Sequence, residues 1–187
     1  MKKEYSVYLL VSHSGSMFSR AINFFTDHPY THVSIALDEN LDQVYSFGRL
    51  NPYNPFFAGF VREDIHHGTF SRFPNTTCSL YELKVTGKQY RSIRREIDRF
   101  RSDGHKYTYN FLGIITASFN YPIYRKYKYF CSQFVAEVFL NSGIDLSGKH
   151  PGLTSPMDIL EYEKLELVYS GYLRNYRQAH LKVAVAG

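Results

Sequence analysis

Residues 129–138 read Tyr129-Phe130-Cys131-Ser132-Gln133-Phe134-Val135-Ala136-Glu137-Val138. Apolar positions at Phe134, Val135, Val138 and Phe139, closed by Asn141-Ser142-Gly143, predict a helix over Cys131–Leu140 with a glycine stop. The cysteine then falls in the first turn, where backbone N–H groups lack intrahelical partners and the dipole end is positive. Both favour thiolate over thiol, and with a cationic neighbour such thiols reach pKa values of about 3.5–7.5. Arg125, Lys126 and Lys128, just upstream, are expected to add to that field and to favour an anionic substrate. Most unpaired cysteines are only small core hydrophobes. Cys78, among Thr76, Thr77 and Ser79 with no helical pattern, fits that description better.

A nucleophilic cysteine needs a base, and His32 is the best placed of the eight histidines. It opens the strand-like run His32-Val33-Ser34-Ile35-Ala36-Leu37, with Val33, Ile35 and Leu37 on one face and His32, Ser34 and Ala36 on the other. The small residues leave room beside the imidazole, and a strand holds it more rigidly than a loop. Neither His-Glu-x-x-His nor Cys-x-x-Cys occurs, so no metal is expected. There is also no Gly-x-Ser-x-Gly elbow and no phosphate-binding glycine loop, and no cofactor is expected.

Around these two points the chain reads as a mixture of elements. Strands are expected at Ser6–Val11, Val44–Phe47, Ser79–Val85 and Leu165–Tyr169, with Asp38–Asp42 as the polar turn of a hairpin. Helices are expected at Ser16–Phe25, at Lys88–Ser102 and, starting on a proline, at Pro156–Leu160. Asn51–Phe60, rich in Pro, Asn, Phe and Gly, reads as a loop. The pattern predicts an α+β fold with an antiparallel sheet packed against helices.

With 187 residues, 44% hydrophobic and 21% charged, residues 1–187 suit a single domain with a real core and exclude disordered, collagen-like and coiled-coil classes. Two cysteines are too few for a disulfide framework. Lys2-Lys3 followed by Tyr5–Val11 is too short and too polar at its end for a secretory leader and reads as a buried strand. No stretch approaches the roughly 20 apolar residues of a membrane span. The expectation is a soluble, cytoplasmic protein with no integral membrane segment.

Charge is distributed unevenly. Residues 1–90 hold eight basic and eight acidic side chains and residues 91–187 fourteen and nine, so the whole net charge of +5 lies in the second half. Five arginines between Arg91 and Arg101 share a helix whose apolar positions are Ile93, Ile97 and Phe100, which marks a solvated face. Without a recognisable binding motif, nucleic acid is not expected as a partner.

Thr31–Leu37 and, far downstream, Tyr129–Val138 together resemble the papain-like cysteine hydrolases of the NlpC superfamily. The order here, histidine before cysteine, is that of the circularly permuted branch, which includes YiiX-like hydrolases and the lecithin retinol acyltransferase family. Tyr107–Gly113, Asn141–Ile144 and Thr154–Ile159 extend the resemblance over about residues 5–160. It implies a permuted papain-like fold and a thiol-dependent hydrolase of amide or ester bonds, acting through a Cys131–His32 dyad and a thioester. Substrates of such proteins are small peptides, glycopeptides or lipid-like molecules. A tyrosine hydroxyl often assists the oxyanion, and Tyr107 or Tyr109 matches that position. Family members orient the imidazole with a polar residue on the next strand, where Ser46 falls, or Gln43 in a shifted register. A serine lacks the charge that stabilises imidazolium. That departure, with the aromatic stretch Tyr53–Phe60 as a possible groove cover, keeps a noncatalytic ligand-binding module as an alternative, and an acyltransferase using the same thioester as another.

Overall fold

The structure is a computed structural model and describes residues 4–15 and 29–176. Its frame is one sheet of eight strands in the order β7-β6-β4-β3-β2-β1-β5-β8. The strands are β1 (Glu4–His13), β2 (His32–Ala36), β3 (Val44–Asn51), β4 (Asn54–Glu63), β5 (Thr77–Thr86), β6 (Thr108–Tyr109), β7 (Lys128–Tyr129) and β8 (Glu166–Tyr172). Adjacent strands are antiparallel except β6 and β7, which run parallel. Among the described residues five α-helices accompany them: α1 (Gly68–Arg72), α2 (Gly87–Ser102), α3 (Phe111–Ser118), α4 (Cys131–Asn141) and α5 (Pro156–Leu160). The α+β reading therefore holds. The expected helix at Ser16–Phe25 lies outside the described residues.

Strand β1 is central because both of its faces are apolar. Val7, Leu9 and Val11 enter the larger core, with α2 and α4 on that side, whereas Tyr8 and Leu10 enter a smaller core under Phe70 of α1, Leu173 and Tyr176. A strand buried on both faces reads as a continuous apolar run, which is why Tyr5–Val11 invites the alternative of a leader.

Helix α2 follows its periodicity: Ile93, Ile97 and Phe100 are buried, and Thr86 and Gln89 form a reciprocal capping box at its start. In α4, Phe134 is fully buried among Phe47, Phe60 and Phe100, with ring centres 5.5, 5.7 and 5.0 Å away. Burying such a ring is worth about 3–5 kcal/mol by truncation to alanine. Phe134 stands one turn after Cys131, so this aromatic cluster fixes the N-terminal end of α4 against the sheet.

One expectation fails. Asn51–Phe60 is not a loop; the turn is confined to Asn51–Asn54, and residues from Asn54 onward form β4, paired with β3 through Phe47–Phe60, Ser46–Val61 and Val44–Glu63. Proline and asparagine mark the turn, and the β-prone run Phe56–Val61 behind it was hidden by their proximity.

Candidate active site

Cys131 is the first residue of α4 and His32 the first of β2. The preceding Phe130 supplies no side-chain cap, so the N–H groups of the first turn remain available to the sulfur or to a ligand. His32 is near enough to Cys131 to act on its thiol through hydrogen bonding and charge, and the backbone N–H groups of Val33 and Ser132 also favour the thiolate. His32 Nε2 lies 2.7 Å from Glu63 Oε1, which leaves Nδ1 as the ring nitrogen for the thiol. Glu63 ends β4 and is held in turn by Ser34, whose hydroxyl donates to Oε2 at 2.5 Å.

Three groups thus form a chain: carboxylate, imidazole, thiol. Burial alone raises the Cys131 thiol, but the hydrogen bond and charge of His32, with the two backbone N–H groups, outweigh it and bring the thiol below its ordinary value. Burial also disfavours imidazolium, yet the Glu63 charge overcomes this and pushes His32 up to about 10. Glu63 itself is held below the usual carboxylate range, because His32, Ser34 and Ser46 outweigh its burial. These directions agree with a thiolate–imidazolium pair stabilised by a carboxylate.

Tyr109, at the end of β6, places its hydroxyl against both the Cys131 side chain and the Cys131 backbone N–H. Burial and the neighbouring sulfur keep the phenol far above its ordinary value, so it remains a proton donor. Of the two tyrosines expected near the sulfur, the fold brings only this one. The Tyr107 ring packs in the aromatic cluster, 4.7 Å from Phe100.

Ser46 makes no hydrogen bond to His32. Strands β2 and β3 pair only at Ile35–Tyr45 and Ala36–Val44, so they have parted before His32 is reached. Ser46 Oγ is buried without a hydrogen-bond partner of good geometry, and only its dipole favours the Glu63 carboxylate. The orienting residue comes from one strand further away, through space that Gly48 leaves open: a Cβ at Gly48 would lie 3.3 Å from Glu63 Oε1. Gln43 is exposed in the hairpin turn, where its carbonyl accepts from Leu37 N–H. Reading Asn51–Phe60 as a loop concealed Glu63. An acid shortly after the apolar run Phe56–Val61, behind a turn, is the signal that would have revealed it.

The upstream bases act elsewhere. Arg125 and Lys126 are exposed, Lys126 lies 5.0 Å from the centre of the Tyr127 ring, and the groups acting most strongly on the sulfur are His32 and backbone N–H donors. Cys78 is buried and unbridged, and burial raises its thiol to about 12.

A cavity of about 420 Å³ opens beside Cys131. One wall is Ile114, Ala117 and Ser118 of α3; the other is the segment Leu153–Pro156, tied to α4 by the Ser132 hydroxyl donating to Thr154 O at 2.6 Å. Lys149 and Asp158, paired at 2.6 Å, stand at its rim. Among the described residues, no group of three or more His, Cys, Asp or Glu side chains converges as a metal site, and no helix is long and apolar enough to cross a membrane.

No family model matches the chain, and no curated protein matches it. Among solved structures, a crystal structure described as the metalloprotein yiiX from Escherichia coli O157:H7 superposes with a TM-score of 0.56 and 16% sequence identity, over 90% of this chain and 98% of that one. At that identity the likeness is one of fold, and the chain shares with that protein a YiiX-like α+β architecture.

Proposed function

We propose that the protein is a thiol-dependent hydrolase of amide or ester bonds, with a permuted papain-like arrangement of its site. The observation that carries this reading is the grouping of Glu63, His32 and Cys131, with His32 Nε2 2.7 Å from Glu63 Oε1 and His32 lowering the Cys131 thiol, seated at a helix N-terminus beside a cavity. Cys131 attacks the carbonyl carbon as thiolate, and the carbonyl electrons move to oxygen. That oxyanion lies where the Cys131 N–H and the Tyr109 hydroxyl converge. His32 imidazolium then gives its proton to the departing amine or alcohol, leaving a thioester. Neutral His32 next takes a proton from water as water attacks the thioester, and the proton returns to the pair as the acid leaves.

Glu63 supplies the charge that a serine at position 46 lacks. The imidazole thus has an acidic partner, which supports catalysis over a noncatalytic binding module. The solved neighbour is described as a metalloprotein, but the described residues here do not fit a metal centre. A cavity of about 420 Å³ with mixed apolar and polar walls suits a small acyl or peptidyl group.

Turnover of a library of small peptides, glycopeptides and lipid esters tests the proposal. Wild-type activity lost in Cys131→Ala, with a thioester adduct on Cys131 in quenched samples, is the expected result. Activity that survives Cys131→Ala would overturn it.

A further inference from the structure

Helix α3 contains no charged residue, and Leu112, Ile115 and Phe119, spaced i, i+3, i+7 across it and its C-cap, form an exposed stripe. Phe119 is 77% exposed. The turn between β3 and β4 adds Tyr53, and the start of β4 adds Phe56 and Phe57, of which Phe56 is 81% exposed. Phe56 meets Phe111 with ring centres 6.2 Å apart, so hairpin and helix present one surface. The chain after α3 continues it with exposed Tyr121 and Tyr124 and then Arg125 and Lys126. Scattered exposed apolar residues are ordinary, but an uncharged helix with an apolar outer stripe joined to an aromatic turn is not.

The surrounding charge narrows what covers this surface. Neither residues 104–136 nor residues 43–62 contain any Asp or Glu, whereas they carry Arg125, Lys126, Lys128 and Arg49; Lys106 is paired with Asp103, and Arg62 lies at the far end of the hairpin, donating to Asp42 O. Arg72 adds a further guanidinium, 4.2 Å from the centre of the Tyr53 ring. A second copy of the chain would bring the same positive field against it, and an aromatic surface flanked by Arg72, Arg125 and Lys126 complements a negatively charged, half-apolar one. Phenylalanine and tyrosine rings at the headgroup level, flanked by Lys and Arg, are the chemistry of interfacial attachment.

We propose that this edge, built from α3, the β3–β4 turn and the segment after α3, docks the protein peripherally on an anionic phospholipid bilayer. The opposite side of α3 lines the Cys131 cavity through Ile114, Ala117 and Ser118, so docking would set the cavity beside the bilayer surface. The proposal does not rest on catalysis, since it concerns a different face of the helix.

Sedimentation with phosphatidylcholine vesicles, with and without phosphatidylglycerol, is the test. Wild type and Cys131→Ser should both bind the phosphatidylglycerol vesicles, more weakly at high salt. The double variants Phe56→Ser/Phe119→Ser and Arg125→Glu/Lys126→Glu, folded by circular dichroism, should each lose about tenfold or more in affinity. Wild type that ignores both vesicles, or binding unchanged in the two variants, would overturn the proposal. So would a dimer in light scattering that Phe56→Ser/Phe119→Ser dissociates in a chain that does not sediment with vesicles, which would assign the face to a second copy.

Discussion

Replacing Glu63 by Gln keeps an acceptor against His32 Nε2 and removes only the charge. In the thiolate–imidazolium state the positive end of the pair is the ring 2.7 Å from Glu63, and the negative end is the sulfur on the ring's far side. At an effective dielectric of about 20, a unit charge about 4 Å away is worth about 4 kcal/mol, and one at about twice that distance about half as much. The carboxylate therefore favours the ion pair over the neutral pair by about 2 kcal/mol, which corresponds to roughly 30-fold in their ratio. The sign follows from the two shifts. Cys131 is lowered and His32 raised, so the ion pair exists between them and the thiolate persists to lower pH than in a free cysteine. Without the charge on residue 63, His32 falls, Cys131 rises, and the window closes from both sides. Iodoacetamide alkylation of Cys131, followed by mass spectrometry from acid to mildly alkaline pH, reads this directly. Wild type should reach its plateau below the ordinary cysteine range, and Glu63→Gln should react tens of times more slowly near neutrality, with its rise moved to higher pH. Ser46→Ala should leave the profile almost in place. A Glu63→Gln profile that superposes on wild type, in a variant with unchanged circular dichroism, would refute the reasoning, because His32 would then hold its proton without the carboxylate.

Three further outcomes are expected. Tyr109→Phe removes a hydroxyl that touches the Cys131 sulfur and N–H, so steady-state kinetics on an active substrate should show kcat reduced by about 10²–10³-fold with little change in KM. Gly48→Ala places a Cβ 3.3 Å from Glu63 Oε1 and 3.4 Å from Ser46 Oγ; alkylation of Cys131 near neutral pH should slow while thermal unfolding moves little, since the displaced group is the orienting carboxylate and not the core. Under native conditions iodoacetamide should modify one thiol per chain, Cys131, because Cys78 is buried with its thiol raised to about 12; intact-mass measurement should show the second adduct only after denaturation.

Local patterns carried much of the architecture. The i, i+4, i+7 spacing of Ile93, Ile97 and Phe100 defined α2, and Pro156 marked the start of α5, where the structure adds a reciprocal cap between Ser155 and Asp158. Helix α4, which puts Cys131 at its first position, was legible from its apolar spacing and the stop at Gly143. These features depend on neighbours within one or two turns, so they are written along the chain. The aromatic turn at Asn51–Asn54 was legible as punctuation, but the strand behind it was not, because a short apolar run takes its conformation from the strand it pairs with.

The sequence alone therefore determined which residues had the right chemistry: a cysteine at a helix start, a histidine opening a strand among small neighbours, and a basic second half. Only the tertiary structure decided their company. Glu63 reaches His32 because β2 and β3 separate early and Gly48 leaves a gap, both properties of sheet curvature and pairing between distant segments. Tyr109 stands at the sulfur because it lies within β6, whereas Tyr107 precedes that strand and its ring packs on Phe100 in the aromatic cluster. Arg125 and Lys126, close to Cys131 along the chain, lie out on an exposed aromatic edge, since nearness in sequence says little about direction once the backbone has turned into β7 and α4.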